Sequence, residues 1–445
     1  MTSETPSPTP GWFRSLLVAT VLALPILVAL GLQPLTWPRY WWHITIGAFI
    51  STWETIPDGQ LFLFSLPTES PWIYPTWAGD LLLSLAHSLA GADFSLLLRN
   101  LIAFGSALLF LFPLVRRGTP APLLALIAAL LTIGLFLFLP LEPLFLTLPF
   151  LALITLSLRS LLLRPSAFWL ALPLPIAIAL VANLHLGAAL LLSLSSWILL
   201  LSLFRGPEAP WSTLFLLAIA PLGLFSFVYG PAALPAAALD ALREFRLWAI
   251  FALFPAALLL EKLLASPPSL HPPERFPLFL FLPALLVLGA IAIVVQPGIP
   301  LRQNIMHQLY SDLRQTPPLA GSLPTEIPLR CAEELRRTGR TLRLYTDPVY
   351  SSFLLHHLYD PRQIEPLLFH DHRPLLPADR RDLPELLKTE PIARGIFAAE
   401  RINAVVVPRQ HYPALIDDLR LDRRWTDLNE HLDTPYTCFL ITAAR

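Results

Sequence analysis

Two consecutive stretches decide the fold class: PAPLLALIAALLTIGLFLFLP (Pro120–Pro140) and, after Leu141 and Glu142, PLFLTLPFLALITLSLRSLLL (Pro143–Leu163). A helix needs about 20 mainly apolar residues to cross the hydrocarbon core of a bilayer. Both stretches meet that length, and Arg159 is the one charged side chain in the pair. Prolines at their ends and inside them are compatible with spans, because neighbouring helices satisfy the backbone groups that proline frees.

Outward from these two, the pattern repeats. Ser15–Gln33 and residues 94–115, 167–183, 186–204, 211–229, 247–264 and 276–296 bring the expected number of spans to nine. Ser15–Gln33 is too long, and too poor in a cleavage site, for a signal peptide. Trp77–Leu89, which carries Asp80 and His87, is too short to cross and reads as an interfacial or re-entrant helix. Only 14% of the chain is charged, against about 25% in soluble proteins. Residues 1–300 hold 24 of the 62 charged side chains and residues 301–445 hold 38. The expected fold is therefore mainly α: a cytoplasmic tail (1–13), a polytopic membrane helix bundle (14–298, with an outer loop at 34–93), and a C-terminal soluble α/β domain (299–445). A net charge of zero gives no electrostatic case for nucleic acid.

Basic residues set the orientation. With nine spans and the N-terminus inside, Arg14, Arg116, Arg117, Arg159, Arg164, Arg205, Lys262 and Arg275 fall on the cytoplasmic side. Arg39, Arg99, Arg243 and Arg246 fall outside, which obeys the positive-inside rule. A tenth span at Trp77–Leu89 would invert that ratio. The expected location is a bacterial plasma membrane, with the loop, an amphipathic helix at Pro231–Phe245 and the C-terminal domain all on the outer side.

In the C-terminal region helical period alternates with short β-rich runs. Helices are expected at Asn304–Gln315, Pro328–Arg337, Val349–Leu358, Leu383–Lys388, Ile392–Ile402 and Tyr412–Leu419. Strands are expected at Thr341–Tyr345, Pro366–His370, Ala404–Pro408 and Tyr436–Thr442. That alternation implies a three-layer domain with a largely parallel sheet. No Gly-rich phosphate loop follows a strand. His370-Asp371-His372 and His356-His357 lack the spacing of a ligand set, so no protein-held metal is expected. Cys331, opening a helix, and Cys438, inside a strand, read as two buried unpaired thiols, with a disulfide between them as the alternative that an oxidising compartment permits.

The loop after the first span is dense in aromatic residues. Trp41-Trp42-His43-Ile44, Gly47, Ile56-Pro57, Phe64-Ser65, Pro71-Trp72 and Trp77 follow one another in order. An aromatic belt at the membrane interface accounts for any one of them. As a string they resemble the first periplasmic loop of bacterial membrane proteins related to the GT-C glycosyltransferases, in which Asp-x-Trp-Trp-His-x-x-x-Gly precedes Ile-Pro and Pro-Trp-x-x-x-Trp. Asn183-Leu184-His185-Leu186-Gly187 resembles that group's Asn-Leu-His-x-Gly. Tyr345–Asp347, Phe369–Arg373 and Ala404–Pro408 are similar to its closing α/β domain.

The resemblance implies transfer of a sugar from a polyprenyl-phosphate donor at the outer membrane face. It implies a loop carboxylate serving either as general base toward the acceptor hydroxyl or as a ligand to a divalent cation near the donor phosphate. A basic residue would balance that phosphate. The chain departs from the pattern at three places: Arg39 and Gln60 stand where aspartates are expected, and Glu142 where a basic residue is expected. Asp58, in a Pro-Asp-Gly turn, is the loop acid best placed to substitute.

The candidate catalytic residues are accordingly Asp58 and His43. The candidate substrate-binding residues are Arg39, Trp41, Trp42, Glu54, Asn183 and His185, with His43 and His185 expected to face one cavity. A lipid-linked sugar donor and membrane lipids are the implied partners. The replaced aspartates raise a second reading, a catalytically inactive relative serving as a binding or assembly subunit of the envelope. Few midplane charges and no repeat of spans argue against a transporter.

Overall fold

The computed structural model describes residues 11–31, 38–59, 61–63, 74–164, 166–204, 211–228, 245–265, 332–333, 337, 340–359, 367–368, 383–391, 393–429 and 436–441. They are mainly helical. The chain divides into two compact units, Met1–Leu35 with Pro75–Leu309, and Thr36–Tyr74 with Tyr310–Arg445.

The first unit holds α1 (Gly11–Gly31) and, beyond a helix α2 (Pro38–Trp53) that belongs to the second unit, α3 (Trp77–Arg116), α4 (Ala121–Phe138), α5 (Leu148–Leu163), α6 (Pro173–Leu184), α7 (Leu186–Phe204), α8 (Trp211–Ile219) and α9 (Phe245–Ala265). A 3-10 turn, Pro143–Thr147, leads into α5, and another, Ala220–Ser226, continues α8. Among the described residues, three helical stretches are long and apolar enough to cross a membrane: Gly11–Gly31, Trp77–Arg116 and Pro143–Leu161. The apolar helices Ala121–Phe136, Phe168–Leu184, Leu186–Trp197, Trp211–Ser226 and Ala249–Leu258 are shorter. The expected span at 276–296 and the expected helices at 304–315 and 328–337 fall wholly or mainly outside the described residues, as does 231–244.

A soluble amphipathic helix turns its large apolar side chains inward. In α1 the reverse holds: Leu17, Val21, Leu24 and Val28 form an outward stripe, 56%, 57%, 44% and 65% exposed, while Ala19 and Ala23 are buried. Small residues facing a neighbour permit close helix approach, as in membrane bundles. The neighbour is α3. There the buried Arg99 donates from Nη2 to the carbonyl of Leu30 (2.9 Å) and to Asn100 Oδ1 (3.0 Å). The cation thus sits on the last turn of α1, where orphan carbonyls and the negative end of the helix dipole favour it.

Helix α3 is broken at Ala90 (φ −156°, ψ 31°) and Gly91 (φ 74°, ψ −163°). Gly91 takes a left-handed conformation that a side chain would strain. The break falls where the sequence separates a short helix, Trp77–Leu89, from a span beginning at residue 94.

The second unit contains β1 (Arg343–Thr346), α10 (Pro348–Leu358), β2 (Leu367–Leu368), α11 (Leu383–Thr389), α12 (Ala393–Ala399), β3 (Ala404–Pro408), α13 (Pro413–Leu421), β4 (Trp425–Asp427) and β5 (Tyr436–Ile441). The sheet runs β2-β1-β3-β5-β4. Its β2-β1-β3 half is parallel and its β3-β5-β4 half antiparallel, so the sheet is mixed rather than largely parallel. The reason is chain length: residues 428–435 between β4 and β5 are too few for a parallel crossover, which takes a dozen or more. Tyr345, Val405, Val407 and Phe439 from the sheet pack with Phe397 of α12 and Leu415 of α13. Cys438 is buried in β5, while Cys331 and the His370-Asp371-His372 run lie outside the described residues.

The segment from the first loop is built into this unit. Helix α2 packs along α10. Leu63 forms a parallel bridge with Leu368, and the Leu368 N–H donates to the carbonyl of Phe62 (2.5 Å), which extends the sheet beyond β2.

Candidate functional site

In the first unit three segments meet at Gly79. A Cβ there would lie 2.5 Å from the Pro143 Cβ and 2.8 Å from the Leu184 carbonyl oxygen. Only glycine lets the start of α3, the 3-10 turn and the α6–α7 break approach so closely. Each segment carries a buried polar residue beside the contact: Asp80, Glu142 and His185, at 1%, 5% and 6% exposure.

Both acids stand at the start of a helical turn. Asp80 lies in the first turn of α3 and accepts a hydrogen bond from Thr76 Oγ1 at 3.0 Å. Glu142 is the residue just before the 3-10 turn. A carboxylate in the first turn of an α-helix, as Asp80 is, is favoured by the unpaired N–H groups and the dipole, whereas Glu142 makes no capping bond to the 3-10 turn.

Asn183 ties the junction together. Its Oδ1 accepts from Trp77 Nε1 (3.0 Å) and from the Val228 N–H (3.3 Å), and its Nδ2 donates to the carbonyls of Ala179 (3.2 Å) and Ser226 (3.1 Å). A primary amide has two acceptor sites and two donor protons, so these bonds occupy all four. Asn183, a candidate substrate-binding residue, thereby links α3, α6 and the end of the Ala220–Ser226 turn.

His185 separates α6 from α7 in an extended conformation (φ −163°, ψ 96°), and its N–H donates to the Val181 carbonyl at 2.7 Å. The ring Nδ1 accepts from the Ala188 N–H (3.3 Å), so in the neutral imidazole the proton sits on Nε2. The Leu186 N–H donates to the carbonyl of Pro75 (3.1 Å), fastening the start of α7 to the approach of α3.

The other expected site residues lie in the second unit. Arg39, Trp41 and His43 are half-buried on α2. The Trp41 ring packs against Phe353, His356 and His357 of α10, with centroids 5.4, 5.0 and 5.2 Å away. Trp42 is buried and meets Phe62 edge-on at 6.1 Å. Glu54, at φ 51°, is exposed just past the end of α2. Asp58 is exposed between the buried Pro57 and Gly59, whose carbonyl accepts from the Tyr74 hydroxyl at 3.2 Å. Arg39, Trp41, Trp42, His43, Glu54 and Asp58 thus share one unit, whereas Asn183 and His185 belong to the other. Gln60, Phe64-Ser65 and Pro71-Trp72 of the loop string lie outside the described residues.

Two features escaped the sequence reading. The bond from Trp77 to Asn183 joins two motifs that the sequence offers only separately. The second is a buried pair in the C-terminal region, where Tyr412 donates its hydroxyl to Asp347 Oδ2 at 3.0 Å. Asp347 follows β1 and Tyr412 follows β3, two adjacent strands from which the chain departs toward opposite ends of the sheet. Burial pushes the Tyr412 phenol pKa up, helped by Tyr345 and Asp347, and burial with Asp347 raises Tyr350 as well. Ligands bind at such switch points in open α/β sheets, but here the groups are buried and close the gap themselves.

Among the described residues no group of three or more His, Cys, Asp or Glu side chains could hold a metal ion.

No protein-family model matches the chain, and no curated protein is significantly similar to it.

Proposed function

We propose that the chain is a multi-pass bacterial inner-membrane protein of the GT-C glycosyltransferase kind, moving a sugar from a polyprenyl-phosphate donor to an acceptor at the outer face. In this reading nine spans place the N-terminus in the cytoplasm and residues 299–445 outside. The observation that carries it is the hydrogen bond from Trp77 Nε1 to Asn183 Oδ1. It joins the end of the tryptophan-rich string to the Asn-Leu-His string, the two sequence motifs on which the resemblance rests. The packing of α2 against α10 is a second support, because the reading requires loop and tail in one aqueous compartment.

The acceptor hydroxyl oxygen bonds to the anomeric carbon and gives its proton to a carboxylate. The bond from that carbon to the phosphate oxygen breaks, and polyprenyl phosphate leaves with the electron pair. Asp58, an exposed loop carboxylate, takes the proton, and His43 of the same unit is the second catalytic group. Arg39 offsets the phosphate charge. Purified protein in proteoliposomes, offered a panel of polyprenyl-phosphate sugars, transfers at least one of them, and Asp58→Asn lowers the rate by about 100-fold or more. Absence of transfer from every donor would sink the proposal.

One set of observations favours the inactive relative. Arg39 stands where the resemblance expects an aspartate, and the Asn183 amide is saturated by internal bonds. In that reading the chain binds a lipid-linked sugar or an envelope partner without chemistry. Donor binding by full-length protein, with no turnover, is its signature.

A further inference from the structure

We infer that Thr36–Tyr74 and the C-terminal region are two halves of one discontinuous domain, and that the intervening Pro75–Leu309 therefore crosses the membrane an even number of times. The inference rests on the membrane reading of the first unit and is independent of any transfer chemistry.

The halves are joined in three ways. Along α2 and α10, the Trp41 ring fills the space between Phe353, His356 and His357, and Thr45 Oγ1 lies 3.4 Å from His356 Nδ1. Further on, Phe62 packs edge-on against Tyr359 at 5.7 Å. At the sheet, Leu63 bridges Leu368 of β2, a strand of two residues whose outer edge would otherwise lack this partner. An unpaired strand edge is an open template. The partner that fits the edge of β2 and the α10 face is thus a segment of the same chain, distant in sequence.

Topology follows from connectivity alone. Both ends of Pro75–Leu309 are tied to one domain, and one domain occupies one aqueous compartment. Crossings within that segment come in pairs, and α1 (Gly11–Gly31) adds one more, so the total is odd. The short arm Trp77–Leu89 then cannot be a lone additional crossing. The domain also cannot be complete until the last residues of the chain have reached the compartment that already holds the loop.

Two measurements on the full-length protein test this. Single cysteines replace the exposed Asp58 and Gln410, in a background carrying Cys331→Ser and Cys438→Ala. The inference expects a membrane-impermeant maleimide to label both in intact cells, or both only after permeabilisation. One labelled in each condition overturns it. Thr45→Cys with His356→Cys, oxidised and then cleaved at a protease site inserted after Gly118, should leave the two fragments together on a gel until reductant is added. Fragments that part without reductant overturn the discontinuous domain. Release of the chain from membranes by alkaline carbonate would overturn the crossing rule while leaving the cross-link intact, which separates failure of the membrane reading from failure of the domain.

Discussion

The His185 ring nitrogen Nδ1 accepts the Ala188 backbone N–H at 3.3 Å, which makes this imidazole the N-cap of α7. Ala188 is the third residue of that helix, and its N–H is shared between this ring nitrogen and the His185 carbonyl, 3.0 Å away. Any chemistry at His185 therefore falls to Nε2.

His185→Ala should destabilise the protein by about 0.5 kcal/mol, since the Ala188 N–H keeps its bond to the residue-185 carbonyl, and His185→Asn by less, because an Asn carbonyl can replace the ring as second acceptor. Thermal unfolding in detergent gives the comparison. Equal losses for the two variants would show that the ring does not cap the helix.

The Trp77–Asn183 bond should show pairwise coupling. Trp77→Phe and Asn183→Ala each remove one partner of a part-buried hydrogen bond, at a cost of about 0.5–1.5 kcal/mol. A double-mutant cycle is expected to return an interaction of about 0.5–3 kcal/mol. Additive effects would mean that the two residues do not act on each other.

Gly79→Ala places a methyl group 2.5 Å from the Pro143 Cβ and 2.8 Å from the Leu184 carbonyl oxygen. Neither a proline ring nor a backbone oxygen can swing aside, so a loss of about 1–3 kcal/mol or more is expected. Gly105→Ala in the same helix meets nothing within 4 Å. It should be neutral or stabilising by up to about 1 kcal/mol. Chemical denaturation of both variants settles the contrast, and similar stabilities would refute it.

The buried phenol of Tyr412 makes the second unit sensitive to alkali. Its pKa is raised in the folded chain, chiefly by burial, so the neutral form is the one that folding favours. That contribution is complete below the unfolded value of about 10 and is lost as pH climbs toward the folded value. Tyr412→Phe abolishes it along with the bond to Asp347. The stability advantage of the unmodified protein over Tyr412→Phe should therefore shrink between about pH 9 and about pH 11. An advantage that stays constant would mean that the hydroxyl ionises equally in both states.

Much of the secondary structure was legible in the sequence because it was written in local periodicity. Ala404–Pro408, a continuous β-branched run, is β3 as expected, and Val349–Leu358 differs from α10 by one residue. The break at Ala90–Gly91 was visible as the point where a short amphipathic run stops and a long apolar one begins. Strand β4 was not legible: three residues, Trp425–Asp427, are too few to display a period, and pairing with β5 defines them. The direction of β5 was also hidden, since direction depends on connection length rather than on the residues of the strand.

The site was legible as a list of residues and not as an arrangement. Asn183 and His185 drew notice as polar groups in an apolar chain, but what each does follows from partners 106 and 3 positions away. Gly79 carried no signal, because the atoms that exclude a side chain there come from Pro143 and Leu184. Trp41 was legible as an aromatic residue near a span; that its neighbours would be two histidines more than 300 positions later was not.

The seam between α2 and α10 also constrains how such a gene can change. A substitution at Trp41 alters the surface that His356 and His357 must fit, so the two extremities are obliged to evolve in step. Recombination that exchanged the tail alone would mate a foreign helix with a resident groove.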